Sequence, residues 1–252
     1  MYRREPAELR LLQDPPLDGA ANMARDEALL QLVGAGDSLP TLRLYQWSEP
    51  TISLGYFQPY ADCAKLDPPL RELPVVRRAT GGGAILHDLE LTYSLTLPLA
   101  HPLVGNNPRG LYELAHAAVI ATLAELGVAV ARSGFCDDSG AARGPFFCFA
   151  RRHEADLLLG DQKITGSAQR RTKHAILQHG SIVLATRFAQ HPTATLDLPF
   201  AATVERVRSF FPVRFSQSAK TPWCAGEWLA SELAIASELR EKYVGNEWTR
   251  RI

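Results

Sequence analysis

A cysteine and a lysine, 15 positions apart, are the residues of this chain best suited to covalent chemistry. Cys148 lies in the apolar string 146–150, which by itself predicts a buried strand with a core cysteine. A thiol becomes a nucleophile when a basic neighbour stabilises its thiolate. Lys163 follows a predicted strand–turn–strand, so the two side chains could meet. At this stage both interpretations stay open: a core cysteine with a surface lysine, or a nucleophile with its cationic partner.

A run of three glycines, Gly81, Gly82 and Gly83, lies between two apolar segments, with Arg78 before it and His87 after it. Glycine is entropically costly, so a run of this kind is typical of backbone that approaches a ligand closely. Such backbone can also present N–H groups to an anion or a carbonyl oxygen. A plain hairpin turn explains the glycines about as well, and the run matches neither the phosphate-loop nor the dinucleotide-binding pattern.

Small residues follow the lysine directly, as Gly166, Ser167 and Ala168. On a strand they would let a ligand or another backbone approach, and an ammonium beside them could hold a carbonyl oxygen. His179 lies further along in an apolar segment, where a histidine is more often structural than a catalytic base.

The apolar patterns that must position these residues alternate between strand and helix periods. Helices are predicted at 18–33, 112–126, 204–210 and 225–243, and strands at 42–47, 51–54, 73–78, 91–98, 128–131, 156–159, 162–168 and 176–184. The central hairpins favour a mixed α/β protein with a mixed, largely antiparallel sheet and flanking helices. We expect a catalytic domain over residues 1–200 and a helical extension over 201–252, which either stands apart or completes that domain.

Composition excludes several classes of function. The 252 residues carry 27 acidic and 27 basic side chains, so there is no global basic field for nucleic acid. No segment is long and apolar enough to span a membrane, and the polar N-terminus does not resemble a signal peptide. None of the four cysteines forms a Cys-x-x-Cys pair, so we expect no metal site and reduced thiols in a cytoplasmic protein.

Taken together, the ordered strings resemble the superfamily of lipoate–protein ligases, octanoyltransferases and biotin ligases. They are Arg-Arg-x-Thr-Gly-Gly-Gly-Ala-x-x-His-Asp from Arg77, Lys-Ile-x-Gly-Ser-Ala-Gln-Arg-Arg from Lys163, and Gln-His-Gly-Ser-Ile from Gln178. Residues 18–184 follow the motif order of this superfamily. The Cys148-Phe149 pair shortly before the lysine strand is similar to the cysteine-dependent octanoyltransferases within it.

This resemblance implies a reaction and a set of site residues. Cys148 would carry an octanoyl thioester, with Lys163 as its catalytic partner. Substrate would be bound by residues of the glycine run, the lysine strand and their flanks: Arg78, Gly81, Gly82, Gly83, His87, Gly166, Ser167, Ala168 and His179. No cofactor is implied, because a thioester donor is already activated.

The resemblance also implies two protein partners. The donor would be octanoyl-acyl carrier protein, and the acceptor would be a lysine of the lipoyl domains of 2-oxoacid dehydrogenases or of the glycine cleavage H protein. Arg77, Arg78, Arg151 and Arg152 are candidate contacts for these acidic partners, although surface arginines are commonly only solvated.

Two rival functions remain open. One is an ATP- and Mg-dependent lipoate ligase that forms a lipoyl-adenylate, although Ala155 stands where such ligases carry Asn before the aspartate. The other is a non-catalytic protein that binds lipoyl domains or acyl carriers; the presence of both Cys148 and Lys163 argues against it. Amidotransferases that move octanoyl between lipoyl domains are also cysteine enzymes, but the complete glycine run favours transfer from the acyl carrier.

Overall fold

The computed structural model describes residues 8–105, 107, 109–134 and 145–252. Its strands are β1 (Leu9–Gln13), β2 (Thr41–Tyr45), β3 (Thr51–Leu54), β4 (Val75–Arg77), β5 (Ile85–His87), β6 (Leu89–Pro98), β7 (Ala131–Arg132), β8 (Leu157–Leu159), β9 (Gln162–Arg171), β10 (Ala175–Ala185) and β11 (Trp223–Ala225). Its α-helices are α1 (Gly19–Ala35), α2 (Arg109–Ala124), α3 (Phe200–Ala219), α4 (Ala230–Val244) and α5 (Asn246–Thr249).

Two sheets are formed by the described residues. The main sheet has the strand order β11-β1-β2-β6-β10-β9-β8-β7, and it is antiparallel except for the parallel pairs β11–β1 and β1–β2. The second sheet has the order β4-β3-β5 and carries the glycine run between β4 and β5. The predicted mixed, largely antiparallel sheet with helices is therefore confirmed.

Helices cover both faces of the main sheet. On one face α2 and α3 pack together and enclose the largest apolar core, which includes Tyr93, Leu111 and Phe211. On the other face α1 packs against β6 and β10, and α4 packs against α1. The pocket described below lies on this second face, where the small sheet meets the main one.

The first helix illustrates how local sequence sets these elements. Asp18 is its N-cap and accepts a hydrogen bond from Ala21 N at 2.7 Å, as the sequence predicts. Gly36 ends the helix with φ +85°, a left-handed conformation that glycine adopts without strain. The helix therefore begins and ends within a few residues of the predicted bounds.

Residues 201–252 pack closely on the rest of the chain. Phe211 and Phe215 of α3 lie in the main core, and Arg10 of β1 pairs with the buried Glu232 of α4. The predicted helix 225–243 begins later, because Trp223–Ala225 forms an edge strand that pairs with β1. The division of the chain at residue 200 stays a prediction. No helix of the described residues is long and apolar enough to cross a bilayer.

Candidate active site

Cys148 begins a short 3₁₀ turn, Cys148–Ala150, and not a strand as its apolar neighbours predict. Phe147, just before the turn, forms an isolated bridge to Ala84. Cys148 N then donates to Ala84 O at 2.7 Å, and Arg151 N closes the turn on Cys148 O at 3.0 Å. The cysteine is thereby fixed by its backbone to the residue that follows the glycine run.

Cys148 is half-buried, and the other two cysteines of the described residues differ from it. Cys63 is buried, and burial raises the pKa of its thiol to about 11. Cys224 is exposed on the edge strand β11, outside the site. Cys136 lies outside the described residues. Cys148 is thus the described cysteine that has both access and a cationic neighbour.

That neighbour is Lys163, as the sequence reasoning proposed. Its Nζ lies 3.7 Å from Cys148 Sγ and 2.7 Å from Asp156 Oδ2. The lysine side chain is almost fully buried, and Asp156 also accepts a hydrogen bond from His153 N. An ammonium held in this way can stabilise a thiolate or an oxyanion.

A β-bulge turns Lys163 toward the site. Leu157 pairs with Thr165 and Leu158 with Lys163, so Ile164 has no partner on β8. One extra residue reverses the usual alternation of side chains along a strand. As a result Lys163 and Gly166 lie on the same side: a Cβ on Gly166 would be 2.6 Å from Lys163 Cε. The glycine leaves room for the lysine side chain in this position.

The glycine run lies against the cysteine segment. Gly82 has φ +90°, and a Cβ on Gly83 would approach Cys148 N to 3.2 Å. Across the run, a Cβ on Gly55 would lie only 1.8 Å from Gly82 O. Side chains are therefore excluded on both sides of the loop. Gly55 was missed by sequence reasoning, since a lone glycine after a strand carries no distinctive signal.

Arg78 is fully buried and holds the glycine run through its guanidinium group. It donates to Gly81 O and Gly83 O, both at 2.7 Å, and also to Thr80 Oγ1, Ser53 O and Ser53 Oγ. Burial lowers the pKa of this arginine to about 10. The expectation that it contacts a protein partner is wrong, because its donors are used inside the molecule.

Arg77 is equally buried and faces the other way. Its donors reach Thr249 O, Gly55 O and Gln58 O, and so tie the C-terminal helix to the segment before the glycine run. It too is unable to meet a docking protein. Arg151 is exposed and Arg152 half-buried, and Arg152 donates to Asp161 O.

Two histidines form the floor beneath the loop. His87 bonds Ser53 Oγ and Glu90 Oε1, both at 2.8 Å, and stacks on Trp47 with ring centroids 3.8 Å apart. His179 bonds Thr80 Oγ1 at 2.7 Å and faces Asp26 Oδ2 at 3.3 Å. Burial is the leading cause that lowers the pKa of His179. Both rings are held by partners on each nitrogen, which suits a positioning role.

A narrow pocket, with free space for about one water molecule, brings together five of the eleven predicted site residues. Five of them line it: Arg78, His87, Gly166, Ala168 and His179. Met23, Trp47 and Ile85 supply apolar wall, and Cys148 packs against Ile85. Cys148 and Lys163 do not line the pocket themselves, but they lie beside two residues that do, Ile85 and Gly166. A wider cleft lined by Tyr60 and Arg71 contains none of the predicted residues.

Ser167 is not brought to this pocket. On β9 it alternates with Gly166 and Ala168, and its Oγ bonds Tyr93 OH at 2.7 Å and His116 Nε2 at 2.8 Å on the α2 side of the sheet. His116 was not predicted; burial lowers its pKa to about 4. Among the described residues, no group of three His, Cys, Asp or Glu side chains could hold a metal ion.

His191 is a second unpredicted histidine next to the cysteine segment. Its ring lies 5.8 Å from that of Phe147 and 5.5 Å from that of Phe149, measured between centroids. Both ring nitrogens are buried without a hydrogen-bond partner among the described residues, and burial lowers the pKa of the ring to about 4. It is held as a neutral packing residue behind the site.

Comparison with known proteins agrees with the superfamily that the glycine loop and the lysine strand resemble. The family model of the lipoyl protein ligase A/B catalytic domain matches residues 18–202, so the chain belongs to this family. Among its curated relatives is Octanoyltransferase LipM of Moorella thermoacetica, 36% identical over 98% of this chain and 99% of the relative. Octanoyltransferase LipM of Kyrpidia tusciae is 32% identical over 96% and 98%.

Solved structures share the fold. A crystal structure of lipoate-protein ligase A bound with ATP superposes with TM-score 0.75 at 24% identity, covering 96% of this chain and 98% of the ligase. A bi-partite lipoate protein ligase from Thermoplasma acidophilum superposes with TM-score 0.70 at 22% identity, covering 97% and 96%. These likenesses establish the architecture, and the site itself must decide the chemistry.

Proposed function

We propose that this chain is an octanoyltransferase that moves an octanoyl group, through a thioester on Cys148, onto a lysine of a lipoyl domain. The observation that carries the proposal is the 3.7 Å contact of Lys163 Nζ with Sγ of Cys148, a half-buried residue. The activity named for the curated relatives supports the same reaction.

In the first step the Cys148 thiolate attacks the carbonyl carbon of the donor thioester. The carbonyl oxygen gains negative charge, and the Lys163 ammonium lies close enough to Sγ to stabilise it. The bond between the carbonyl carbon and the donor sulfur then breaks. The donor leaves as a thiol after it takes up a proton, and Cys148 holds the octanoyl group as a thioester.

In the second step the neutral ε-amine of the acceptor lysine attacks the acyl-enzyme. The bond between the carbonyl carbon and Cys148 Sγ breaks, an amide forms, and the proton of the amine passes to solvent. Lys163 keeps its 2.7 Å contact with Asp156 and serves as the oxyanion donor in this step as well. Cys148 is thus restored as a thiolate beside the same cation.

The acyl chain would lie along this pocket, which must widen to admit it. Gly166 and Ala168 keep β9 free of bulk beside apolar Met23, Trp47 and Ile85. Burial of an alkyl chain stabilises the complex by about 0.8 kcal/mol per CH₂. Both half-reactions start from a thioester, so we propose that neither ATP nor a metal ion takes part.

The proposed donor is octanoyl-acyl carrier protein, and the proposed acceptors are lipoyl domains of 2-oxoacid dehydrogenases or the glycine cleavage H protein. Transfer to a lysine on a folded domain requires an open route to Cys148, and its partial exposure is consistent with one. We also propose that the protein acts in the cytoplasm, where its thiols stay reduced.

Mass spectrometry of the enzyme after mixing with octanoyl-acyl carrier protein tests the mechanism. We expect one octanoyl group per chain, formed without ATP and removed by hydroxylamine as thioesters are. Cys148→Ala should lose both the adduct and transfer, whereas Cys63→Ala and Cys224→Ala should keep them. Wild-type transfer by Cys148→Ala would refute the thioester, and a strict ATP requirement would make the chain a ligase.

A further inference from the structure

Beside the glycine run lies an exposed cluster that the mechanism does not use. It consists of Tyr56, Phe57, Arg170 and Arg251, and we call it the arginine–aromatic surface. The guanidinium carbon of Arg251 lies 3.8 Å from the centroid of the Tyr56 ring, and that of Arg170 lies 5.2 Å from it. The Phe57 ring packs edge-on against Tyr56, and Phe57 is 75% exposed. A large apolar side chain this exposed, flanked by arginines, is typical of an interaction surface.

The surface is joined directly to the catalytic loop. Tyr56 N donates to Thr80 O at 2.9 Å, and Gln58 Nε2 donates to Phe146 O at 3.1 Å, two residues before Cys148. Arg170 lies on β9 two residues beyond Ala168, which lines the pocket, so strand alternation puts both on one side. A protein docked here would therefore lie next to the loop that borders the acyl site.

The charge of this surface is not neutralised within the described part of the chain. No carboxylate of the described residues forms an ion pair with Arg170 or Arg251, although Lys242 nearby is paired with Glu27. The positive field is felt by Tyr56: the hydrogen bond from Arg251, then the charges of Arg251 and Arg170, lower the pKa of its hydroxyl. Arginines without a carboxylate partner, in a chain of zero net charge, indicate an anionic partner.

We infer that the arginine–aromatic surface is the docking site for the acidic acyl-carrier protein that donates the acyl group. The inference rests on the proposed function and names the surface that would select its donor. This surface replaces Arg77 and Arg78 as the expected contact with the carrier protein, because both of those arginines are buried.

The chemistry of the two partners favours the donor over the acceptor. The donor presents its thioester on a pantetheine arm attached through a phosphodiester, and a guanidinium fork suits a phosphate oxygen. The acceptor presents a lysine side chain in place of a phosphodiester, so the guanidinium forks have no matching group at its reacting end. Phe57 supplies an apolar anchor of the kind that often dominates binding energy.

Steady-state kinetics on the full chain test the inference with two donors, octanoyl-acyl carrier protein and octanoyl-pantetheine, which has neither protein nor phosphate. For Arg170→Glu/Arg251→Glu we expect KM for the carrier to rise about tenfold or more, with kcat nearly unchanged, since rim charges act mainly on encounter. Phe57→Ala should also raise this KM. The wild-type KM should rise with salt, because these charges are exposed and screened.

The matched control for each single substitution, Arg170→Glu or Arg251→Glu, is Arg206→Glu, which makes the same charge change at an exposed position on α3. It should leave both donors unaffected, and octanoyl-pantetheine should be used equally by all variants. An unchanged KM for the carrier in the double variant would overturn the inference. So would an equal loss with octanoyl-pantetheine, or a rise in KM for the lipoyl domain in place of the carrier.

One further donor separates the protein from its arm. If octanoyl-phosphopantetheine suffers the full loss seen with the carrier, the arginines bind only phosphate and a protein-docking surface is refuted. Should the wild-type chain take octanoyl from no donor, the proposed function fails. Calorimetric titration of the carrier protein against the same variants would then still decide whether this surface binds it.

Discussion

Two regions of the candidate site contain polar side chains but use them differently. At the reacting edge, formed by Cys148, Lys163 and Asp156, the cysteine is half-buried and Lys163 Nζ lies 3.7 Å from its sulfur. On the histidine floor, formed by His87 and His179, each ring nitrogen faces a buried partner at 2.7–3.3 Å. A side chain whose polar atoms all have partners within the protein can fix the shape of the site, whereas a sulfur with a single cationic contact can react with a substrate.

The same contrast applies to the two cations of the site. Lys163 is a single ammonium shared between a carboxylate and the thiol, so its charge is available at the sulfur. Arg78 spends its donors on backbone and hydroxyl oxygens of the glycine run and β3, so its role is to shape the loop. Substitutions at four positions test this division, and the expected loss of activity decreases from Lys163 through Gly55 and Gly166 to His191.

Lys163→Met removes the cation from the reacting edge. Turnover should fall about 100- to 1,000-fold, the usual loss when one oxyanion donor is removed. Because the substitution leaves Asp156 buried and unpaired, the free energy of unfolding should also fall by about 3–5 kcal/mol. Denaturant unfolding and single-turnover kinetics measure the two effects.

The double variant Lys163→Met/Asp156→Asn separates chemistry from stability. It should regain most of the lost stability, since the unpaired charge is gone, but none of the turnover. Recovery of turnover in the double variant would contradict a direct role for Lys163 at the sulfur.

Gly55→Ala acts on the loop without changing any group that could react. The new Cβ would meet Gly82 O at 1.8 Å, so the glycine run must shift. A misplacement of about 1 Å near the chemistry can cost about a hundredfold in rate. Overpacking should lower the free energy of unfolding by about 1–3 kcal/mol. Turnover equal to that of wild type, in a protein with a native melting curve, would remove the loop from the site.

Gly110→Ala is the control for that substitution. Gly110 lies in α2, and a Cβ there meets nothing within 4 Å. Turnover should stay at the wild-type value, and stability should rise by about 0.5–1 kcal/mol from helix propensity.

Gly166→Ala displaces the lysine and leaves the rest of the strand in place. The added Cβ would lie 2.6 Å from Lys163 Cε and 2.9 Å from its Nζ, which are the movable end of a flexible side chain. We expect turnover to fall about tenfold, equivalent to about 1.4 kcal/mol in the barrier. The rate of Cys148 alkylation, followed by mass spectrometry, should fall in parallel. An unchanged alkylation rate would show that the ammonium does not act on the thiol.

His191→Phe should alter the pH dependence of stability and hardly alter turnover. In the folded protein the pKa of His191 is about 4, below the ordinary value of 6.5. Between these pH values the unfolded chain binds a proton that the folded chain does not, so His191 destabilises the fold as pH falls from 6.5 to 4. Each affected pH unit is worth up to about 1.4 kcal/mol. Urea midpoints at about pH 5 and about pH 7.5 should therefore differ less in His191→Phe than in wild type.

The sequence was sufficient where the signal was local. The Asp18 cap, the β8–β9 hairpin and the glycine run follow from capping and turn chemistry, and the structure confirms them. The 3₁₀ turn at Cys148 was not predictable, because its contact with Ala84 is what distinguishes it from a strand. The burial of Arg77 and Arg78 also depends on tertiary packing, so it could not be predicted from two adjacent arginines in the sequence.

The missing parts of the site share one cause. Asp156 and Gly55 become significant only through what stands opposite them, Lys163 Nζ and Gly82 O. Ser167 was assigned to the pocket because its neighbours are there, yet strand alternation turns it toward His116. Closeness in the sequence therefore identified the right segments, but the side of the sheet that each side chain faces could be read only from the structure. The predicted roles of Cys148 and Lys163 stay predictions until the substitutions are made.

Ile164, which has no partner on β8, shifts the alternation of side chains along β9 by one residue. Before Ile164 the site side is occupied by an odd-numbered residue, Lys163, and after it by even-numbered residues, Gly166 and Ala168. Regular pairing through Ile164, without the bulge, would turn Lys163 to the opposite face of β9, away from the sulfur, with every catalytic residue type still in the chain. A search that assumes site residues at every second position of a strand would miss this pair. Lys163 and Gly166 are three residues apart and lie on the same side of β9 only because of the bulge.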